Sequence, residues 1–350
     1  MNRHFYILTL LISMVLPCEE GEVELWGMCY SIENTTVLSN IDNALGEIPE
    51  KLCTLVNLEV LNLIVMFGNT NILTGEIPNC ICNLDKLTYL DFGWNSLSGG
   101  IPDSIGNLTN LTYLSLLSNQ LTGGIPSSIG NLINLTYLNF GLNAFSGKIP
   151  ESIGNLIELT ELSFSFNLLS GSIPVTIGNL SDLTMLSIAI NQISGEIPST
   201  IGNLVNLASL NASYNQLAGE IPESIGNLTN LQRLWLNFNN LTGEVPGSIC
   251  NLDMLNWSPY GFEGDESYLN NNKLCPLYPR CIEENIGYQD ISECGEPGDV
   301  TGDGQLNILD IMMLANMILD GVYDEIADLN GDDELNILDI VELVNIILGA

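Results

Sequence analysis

An apolar-Pro step recurs through this chain at Pro78, Pro102, Pro126, Pro150, Pro174, Pro198, Pro222 and Pro246, each 24 residues after the last. So strict a period predicts a stack of like supersecondary units. A unit this short cannot close a core alone and must bury its apolar face against the next copy. Residues 111–134, LTYLSLLSNQLTGGIPSSIGNLIN, are one such unit. Leu111, Leu114 and Leu116 have the spacing of a short strand's buried side, Leu121 and Ile125 continue the interior, and Ile129 and Leu132 close the far side. Pro126 is expected to open a short helical turn, where its missing N–H costs nothing, and Gly130 to end that turn in a left-handed conformation. Asn119 and its equivalents Asn95, Asn143, Asn167, Asn191, Asn215 and Asn239 read as a buried structural column. Buried amides must be paired, and the turns of neighbouring coils offer the partners.

With strand, Asn, Gly-x-Ile-Pro and Ile-Gly-Asn-Leu elements at this spacing, residues 58–254 resemble the plant-type leucine-rich repeats of receptor-like kinases and of inhibitors of pectin-degrading enzymes. The resemblance implies an α/β solenoid, a right-handed leucine-rich repeat superhelix of 24-residue units, with an N-terminal cap over 22–57 and a cysteine-containing C-terminal cap over 255–294. The unit between Pro49 and Pro78 is 29 residues long, so LNLIVMFGNTNILTG holds a five-residue insertion, expected in a loop.

In each strand the residues between the buried leucines are expected on a concave sheet, where function would sit. They are nearly free of charge, with threonines at 88, 112, 136, 160 and 184. The candidate ligand-binding residues are the aromatics Tyr89, Trp94, Tyr113, Tyr137, Phe166, Tyr214, Trp235 and Phe238, which suit a glycan or an extended peptide. Strand propensity and like-on-like stacking would also explain the Thr and Tyr columns. A threonine column invites an ice-binding reading as well, but that role would need a flat face.

The chain ends differ from its middle. Arg3 precedes an apolar run from Phe5 to Leu16, the layout of a secretory signal over residues 1–21 and too short to span a bilayer. Cys18 is then a candidate for lipid modification, leaving eight cysteines for disulfides in an exported chain. Pairing is expected among Cys29, Cys53, Cys80 and Cys82 at one end and among Cys250, Cys275, Cys281 and Cys294 at the other, with the connectivity open. The one histidine, His4, lies in the signal, so the mature chain cannot run a Ser-His or Cys-His site. With 42 acidic against 7 basic residues, the chain repels nucleic acid and anionic lipid. Cations are its expected small partners.

Residues 295–350 hold 13 acidic side chains and no Lys or Arg. Asp299, Thr301, Asp303, Asn307 and Asp310 fall at positions 1, 3, 5, 9 and 12 of a calcium loop, with Gln305 lending a carbonyl at position 7. The second copy gives Asp328, Asn330, Asp332, Asn336 and Asp339 with Glu334 at position 7, and has Asp333 where the first has Gly304. Two Ca2+ sites are expected, the second altered by that exchange. Behind each loop runs an apolar helical pattern: Ile311, Leu314, Ala315, Ile318, then Ile340, Leu343, Val344, Ile347. The duplicated loop-helix units, 29 residues apart, resemble a type I dockerin, a small all-α calcium-binding domain. That resemblance implies a cohesin-like partner on a scaffold, a bacterial host, and docking through loop positions 10 and 11, here Ile308, Leu309, Ile337 and Leu338. These are apolar where many relatives carry Ser or Thr, and they could instead pack the loops together.

The expected function is that of a noncatalytic exported protein, binding a glycan, peptide or protein on the concave face and joined by its tail to a cell-surface or polysaccharide-degrading assembly. The alternatives are a structural adhesin or surface-layer component with calcium as stabiliser, and a secreted glycosidase using carboxylates such as Asp91 and Glu161.

Overall fold

The computed structural model describes residues 18–349, apart from 40, 42–43, 65–71, 260–265, 277, 292–293, 295–296, 302–304 and 333. Residues 1–17 of the expected signal, most of the first-unit insertion, Asp303, Gly304 and Asp333 therefore lie outside the described residues.

Each coil spends three residues on a strand: an inward leucine flanked by two outward side chains. The strands Val37–Ser39, Val60–Asn62, Tyr89–Asp91, Tyr113–Ser115, Tyr137–Asn139, Glu161–Ser163, Met185–Ser187, Ser209–Asn211 and Arg233–Trp235 pair in chain order as one parallel sheet. The register sets like on like, Tyr89 beside Tyr113 beside Tyr137 and Leu90 beside Leu114 beside Leu138. Parallel pairing between consecutive strands is possible because the rest of the coil serves as the return connection.

From Tyr89–Asp91 onward the chain leaves each strand through a residue with positive φ, such as Ser118 (56°) or Ile190 (54°), and the column asparagine follows. Asn167 shows what that residue does. Its Nδ2 donates to the carbonyls of Phe164 (3.0 Å) and Ser165 (3.4 Å) in its own coil and Phe140 (3.0 Å) in the preceding one, and its Oδ1 accepts the Phe145 N–H at 2.9 Å. The column is the expected structural ladder, and it is longer than the repeats. Asn272 and then Gln289, both in the C-terminal cap, make the same kinds of bond, Gln289 accepting from Leu274 N–H at 3.3 Å and donating to Leu269 O at 3.0 Å.

A second set of short parallel strands follows the ladder, including Ala144–Gly147, Leu168–Gly171, Gln192–Gly195 and Gln216–Gly219, which the leucine spacing did not announce. Each proline then caps a 3₁₀ turn, as Pro126 (φ −68°) does for Ser127–Asn131. The glycine expectation needs correction. The left-handed glycine is Gly123 (φ 79°), before the Ile-Pro step, and not Gly130. Gly130 is required for space instead, since a Cβ there would run into the Ser152 carbonyl oxygen of the next coil.

Between the sheet and the 3₁₀ turns lies one continuous core, including Leu114, Leu138, Phe140, Phe145, Phe164 and Ile177. Its ends are closed by disulfides Cys18–Cys29, Cys53–Cys80, Cys250–Cys281 and Cys275–Cys294. At the C-terminal end the pairing stays within the expected four. At the N-terminal end it differs. Cys18 is bonded to Cys29, so its sulfur carries no lipid and the cap starts before residue 22; cutting near residue 21 would leave Cys29 single. Cys82 is a buried free thiol, filling the place of the packing glycine while Cys53 and Cys80 form the staple. Burial pushes its pKa up, as befits an inert thiol.

The tail forms a second core around Leu314, Met317, Ala327 and Leu343. Its helices are α1 (Ile308–Asp320) and α2 (Ile337–Leu348), each ended by a left-handed glycine, Gly321 and Gly349. Among the described residues no helix is long and apolar enough to cross a membrane.

Candidate binding surfaces and calcium loops

On the concave sheet Tyr89, Tyr113 and Tyr137 are half-buried and stack ring on ring, with centroids 4.2 and 4.3 Å apart and planes 9° and 3° from parallel. Their faces are therefore spent on each other. What the stack offers solvent is mainly edges and hydroxyls, so the flat platforms that a sugar ring needs are confined to its two ends.

Beneath the stack lies Asp91, 3% exposed, its Oδ1 accepting the Gly93 N–H at 2.8 Å and its Oδ2 facing the hydroxyls of Tyr89 (3.4 Å) and Tyr113 (3.5 Å). Burial is the main reason its carboxyl titrates above the ordinary range. Burial, then the Asp91 charge, likewise push the Tyr113 phenol up. Glu161 lies three strand steps further on, roughly 14 Å at the usual strand spacing. That is too far for a glycosidase pair, whose carboxyls stand about 5 to 9.5 Å apart. The threonines at 88, 112, 136, 160 and 184 occupy the sheet edge, each hydroxyl donating to a carbonyl of the preceding coil at 2.9 to 3.1 Å.

Four of the expected concave aromatics are not on the sheet. Trp94, Phe166, Tyr214 and Phe238 occupy the left-handed position just before the ladder asparagine, on the flank where the strand ends. Leu142 and Ile190 share that column, so the flank is an apolar stripe that alternation counting assigned to the wrong place. Trp235 is on the sheet, but its indole N–H donates to the Glu266 carbonyl of the cap, so it serves to hold that cap.

In the tail the position-9 and position-12 residues of both loops double as helix caps. Asn307 and Asp310 form a capping box on α1, and Asn336 and Asp339 form one on α2. Asp310 is fully buried and accepts Thr301 N–H (3.0 Å), Thr301 hydroxyl (2.9 Å) and Asn307 N–H (2.8 Å). Burial alone would raise its pKa, but these bonds outweigh it and hold the carboxyl below the ordinary range. Asp339 accepts Leu329, Asn330 and Asn336 N–H groups in the same manner, and Asp328 takes those of Gly331 and Asp332 and the Tyr323 hydroxyl. Gln305 and Glu334 turn their carbonyls towards the position-9 amides at 2.9 and 3.2 Å. The donor set is all oxygen and rich in carboxylate, in a segment with no basic side chain. That fits a hard cation such as Ca2+.

The docking candidates are exposed, Ile308 68%, Ile337 66%, Leu309 52% and Leu338 54%, so they do not pack the loops together. Met312 and Val341, one turn on, are exposed too and extend both copies, and their 29-residue spacing marks them in the sequence.

Comparison with known proteins gives the same division. The Dockerin type I domain family matches residues 297–348. Leucine Rich Repeat models match 86–108, 110–132, 134–156 and 158–180, and a two-copy repeat model matches 205–254. No curated protein matches the chain. Similar crystal structures include a TDR receptor (33% identity over 72% of this chain and 42% of that one, TM-score 0.64). Another is the Arabidopsis receptor kinase HAESA with the peptide hormone IDA and the co-receptor SERK1 (35%, 73% and 43%, TM-score 0.61). A plant ice-binding protein is similar at 26% identity over 76% and 78%, with TM-score 0.57. The chain spans less than half the length of those two receptor chains. It is a leucine-rich repeat protein with a C-terminal dockerin type I domain.

Proposed function

We propose that the protein is a noncatalytic exported adaptor whose solenoid binds a polypeptide segment on its concave face. Its tail, folded around two calcium ions, docks a cohesin-like module of a bacterial cell-surface or polysaccharide-degrading assembly. The observation that carries the docking half is the duplicated apolar patch, Ile308–Leu309 and Ile337–Leu338, left exposed on a strongly acidic module. Each loop supplies carboxylate, amide and carbonyl oxygens for one ion, and the bound ion would neutralise charge that the loops otherwise hold at close quarters.

A polypeptide is favoured over a glycan because the tyrosine rings cover each other's faces, leaving edges, hydroxyls and neutral polar side chains such as Ser163 and Asn139. Such a surface pairs with backbone N–H and C=O groups. Similarity to a receptor solved with a peptide hormone supports the same ligand class.

A panel of purified cohesin modules offered to the full chain, in calcium and in chelator, tests the docking half: at least one is captured in calcium alone. A calcium-folded tail that captures none contradicts it. Cross-linking capture of secreted peptides and proteins, compared between wild type and Ser163→Arg in mid-sheet, tests the other half. Identical capture by the two contradicts binding on the concave face.

A further inference from the structure

The fold does not need the charge on Asp91. Asn62, Asn139 and Asn211 sit at the same register of the sheet. Each accepts the backbone N–H two residues on, from Ile64 (3.1 Å), Gly141 (3.0 Å) and Ser213 (3.1 Å). Asp91 does that same task for Gly93. A neutral amide oxygen suffices in the sister coils, yet here a carboxylate is buried among the Gly93 N–H, Ser115 and the hydroxyls of Tyr89 and Tyr113, none of them a cation. A charge kept where a neutral residue would serve marks a position selected for something besides stability.

The second carboxylate oxygen shows the direction in which that charge acts. Tyr89 and Tyr113, from neighbouring coils, converge on Oδ2 at 3.4 and 3.5 Å, both longer than the usual hydroxyl-to-oxygen contact of about 2.7 Å. With their protons turned inward, the phenolic oxygens present lone pairs to the concave solvent, polarised by the anion behind them. Tyr89 is also the end ring of the stack, with Val60 as its neighbour on the other side, so among the described residues one ring face has no aromatic cover.

We propose that this tyrosine shelf over Asp91 receives a cationic side chain, the guanidinium or ammonium of an Arg or Lys, from the polypeptide bound on the concave face. The inference rests on the peptide reading of that face. A guanidinium can donate to both phenolic oxygens, or donate to the Tyr89 hydroxyl while lying against that ring's uncovered face. A calcium ion would find too few oxygens there.

The test uses the calcium-loaded full chain with isotope-labelled tyrosine rings, titrated with N-acetylarginine amide and with its uncharged citrulline counterpart. The arginine probe should shift the Tyr89 and Tyr113 resonances saturably, the citrulline probe binding at least about fivefold more weakly. Asp91→Asn should lose the preference without a lower Tm, and Tyr113→Phe, which keeps the ring stack, should weaken the arginine probe. Equal response to the two probes, or Asp91→Asn binding arginine as wild type does, would overturn the proposal. If the probe fails while Ser163→Arg still abolishes capture of secreted polypeptides, the shelf alone is lost and the concave-face reading stands.

Discussion

Asp310 grips Thr301 twice, its Oδ1 accepting both the backbone N–H at 3.0 Å and the hydroxyl at 2.9 Å, and so ties the last position of the first calcium loop to the third. The same carboxylate caps α1 through Asn307. Loop and helix are thus one unit. Asp310→Ala should leave buried donors unpaired, abolish one calcium site and melt the tail at low calcium, at a cost of about 3 kcal/mol or more. Calorimetric titration of chelator-stripped chain should give two ions for wild type and one for the variant. An unchanged stoichiometry would rule out Asp310 as a ligand-position residue.

Gly298, just ahead of the first loop, has φ 90°, and a Cβ there would come within 2.6 Å of Leu343 of α2. Gly298→Ala therefore combines backbone strain with a clash in the tail core, and should lower tail stability by about 2 kcal/mol while leaving the solenoid transition in place. Hydrogen exchange on α2 amides would read the difference.

Removing one rung of the asparagine ladder should be severe. Asn167→Ala leaves the Phe145 N–H without its partner in the core and takes one of two amide donors from each of the Phe140 and Phe164 carbonyls, which keep Asn143 and Asn191, costing about 2 to 4 kcal/mol. Asn119→Ala should behave alike, and a loss below about 0.5 kcal/mol at both would contradict the ladder's structural role.

Asp91 makes stability depend on pH in a direction opposite to that of most paired carboxylates. Burial raises its folded pKa above the ordinary 3.8, so the folded state holds the proton more tightly. Its unfavourable contribution is absent below the unfolded value, grows as pH rises through the window between the two, and is complete above the folded value. Asp91→Asn should match wild type at pH 3 and exceed it at pH 7, by about 2 °C in the solenoid Tm. A variant less stable at pH 7 would show that the charge supports the fold.

Much of this was legible in the residues. The 24-residue period located the strands, the ladder and the 3₁₀ turns, because each coil repeats the same burial problem. The loop spacing likewise located the two acidic loops and the helices they cap. Other features turn on backbone geometry that hydrophobic spacing does not encode. Trp94 and Phe166 alternate as strand residues would, yet the chain turns left-handed there and carries them to the flank. Gly130 reads as a turn residue by type, but the close approach of the next coil is what demands it. Cys18 borders the apolar run Phe5–Leu16 and so reads as part of a signal, whereas its bond to Cys29, carried on the hairpin of Glu22–Leu25 with Met28–Ser31, depends on the folded cap. Asn272 and Gln289 escaped notice because the cap coils abandon the spacing while keeping the bonds.

The near-twofold repetition of the tail makes the docking claim sharp. Ile308 and Leu309 on one copy match Ile337 and Leu338 on the other in type and in exposure. The decisive measurement is the affinity of a captured cohesin module for full-length wild type, for each single-copy Asp variant of these pairs, and for the variant carrying all four changes, in calcium and in chelator. The account predicts that each single-copy variant binds within about threefold of wild type, that the fourfold variant loses at least about a hundredfold, and that chelator abolishes every complex. Calcium-independent binding, or full affinity in the fourfold variant, would contradict it.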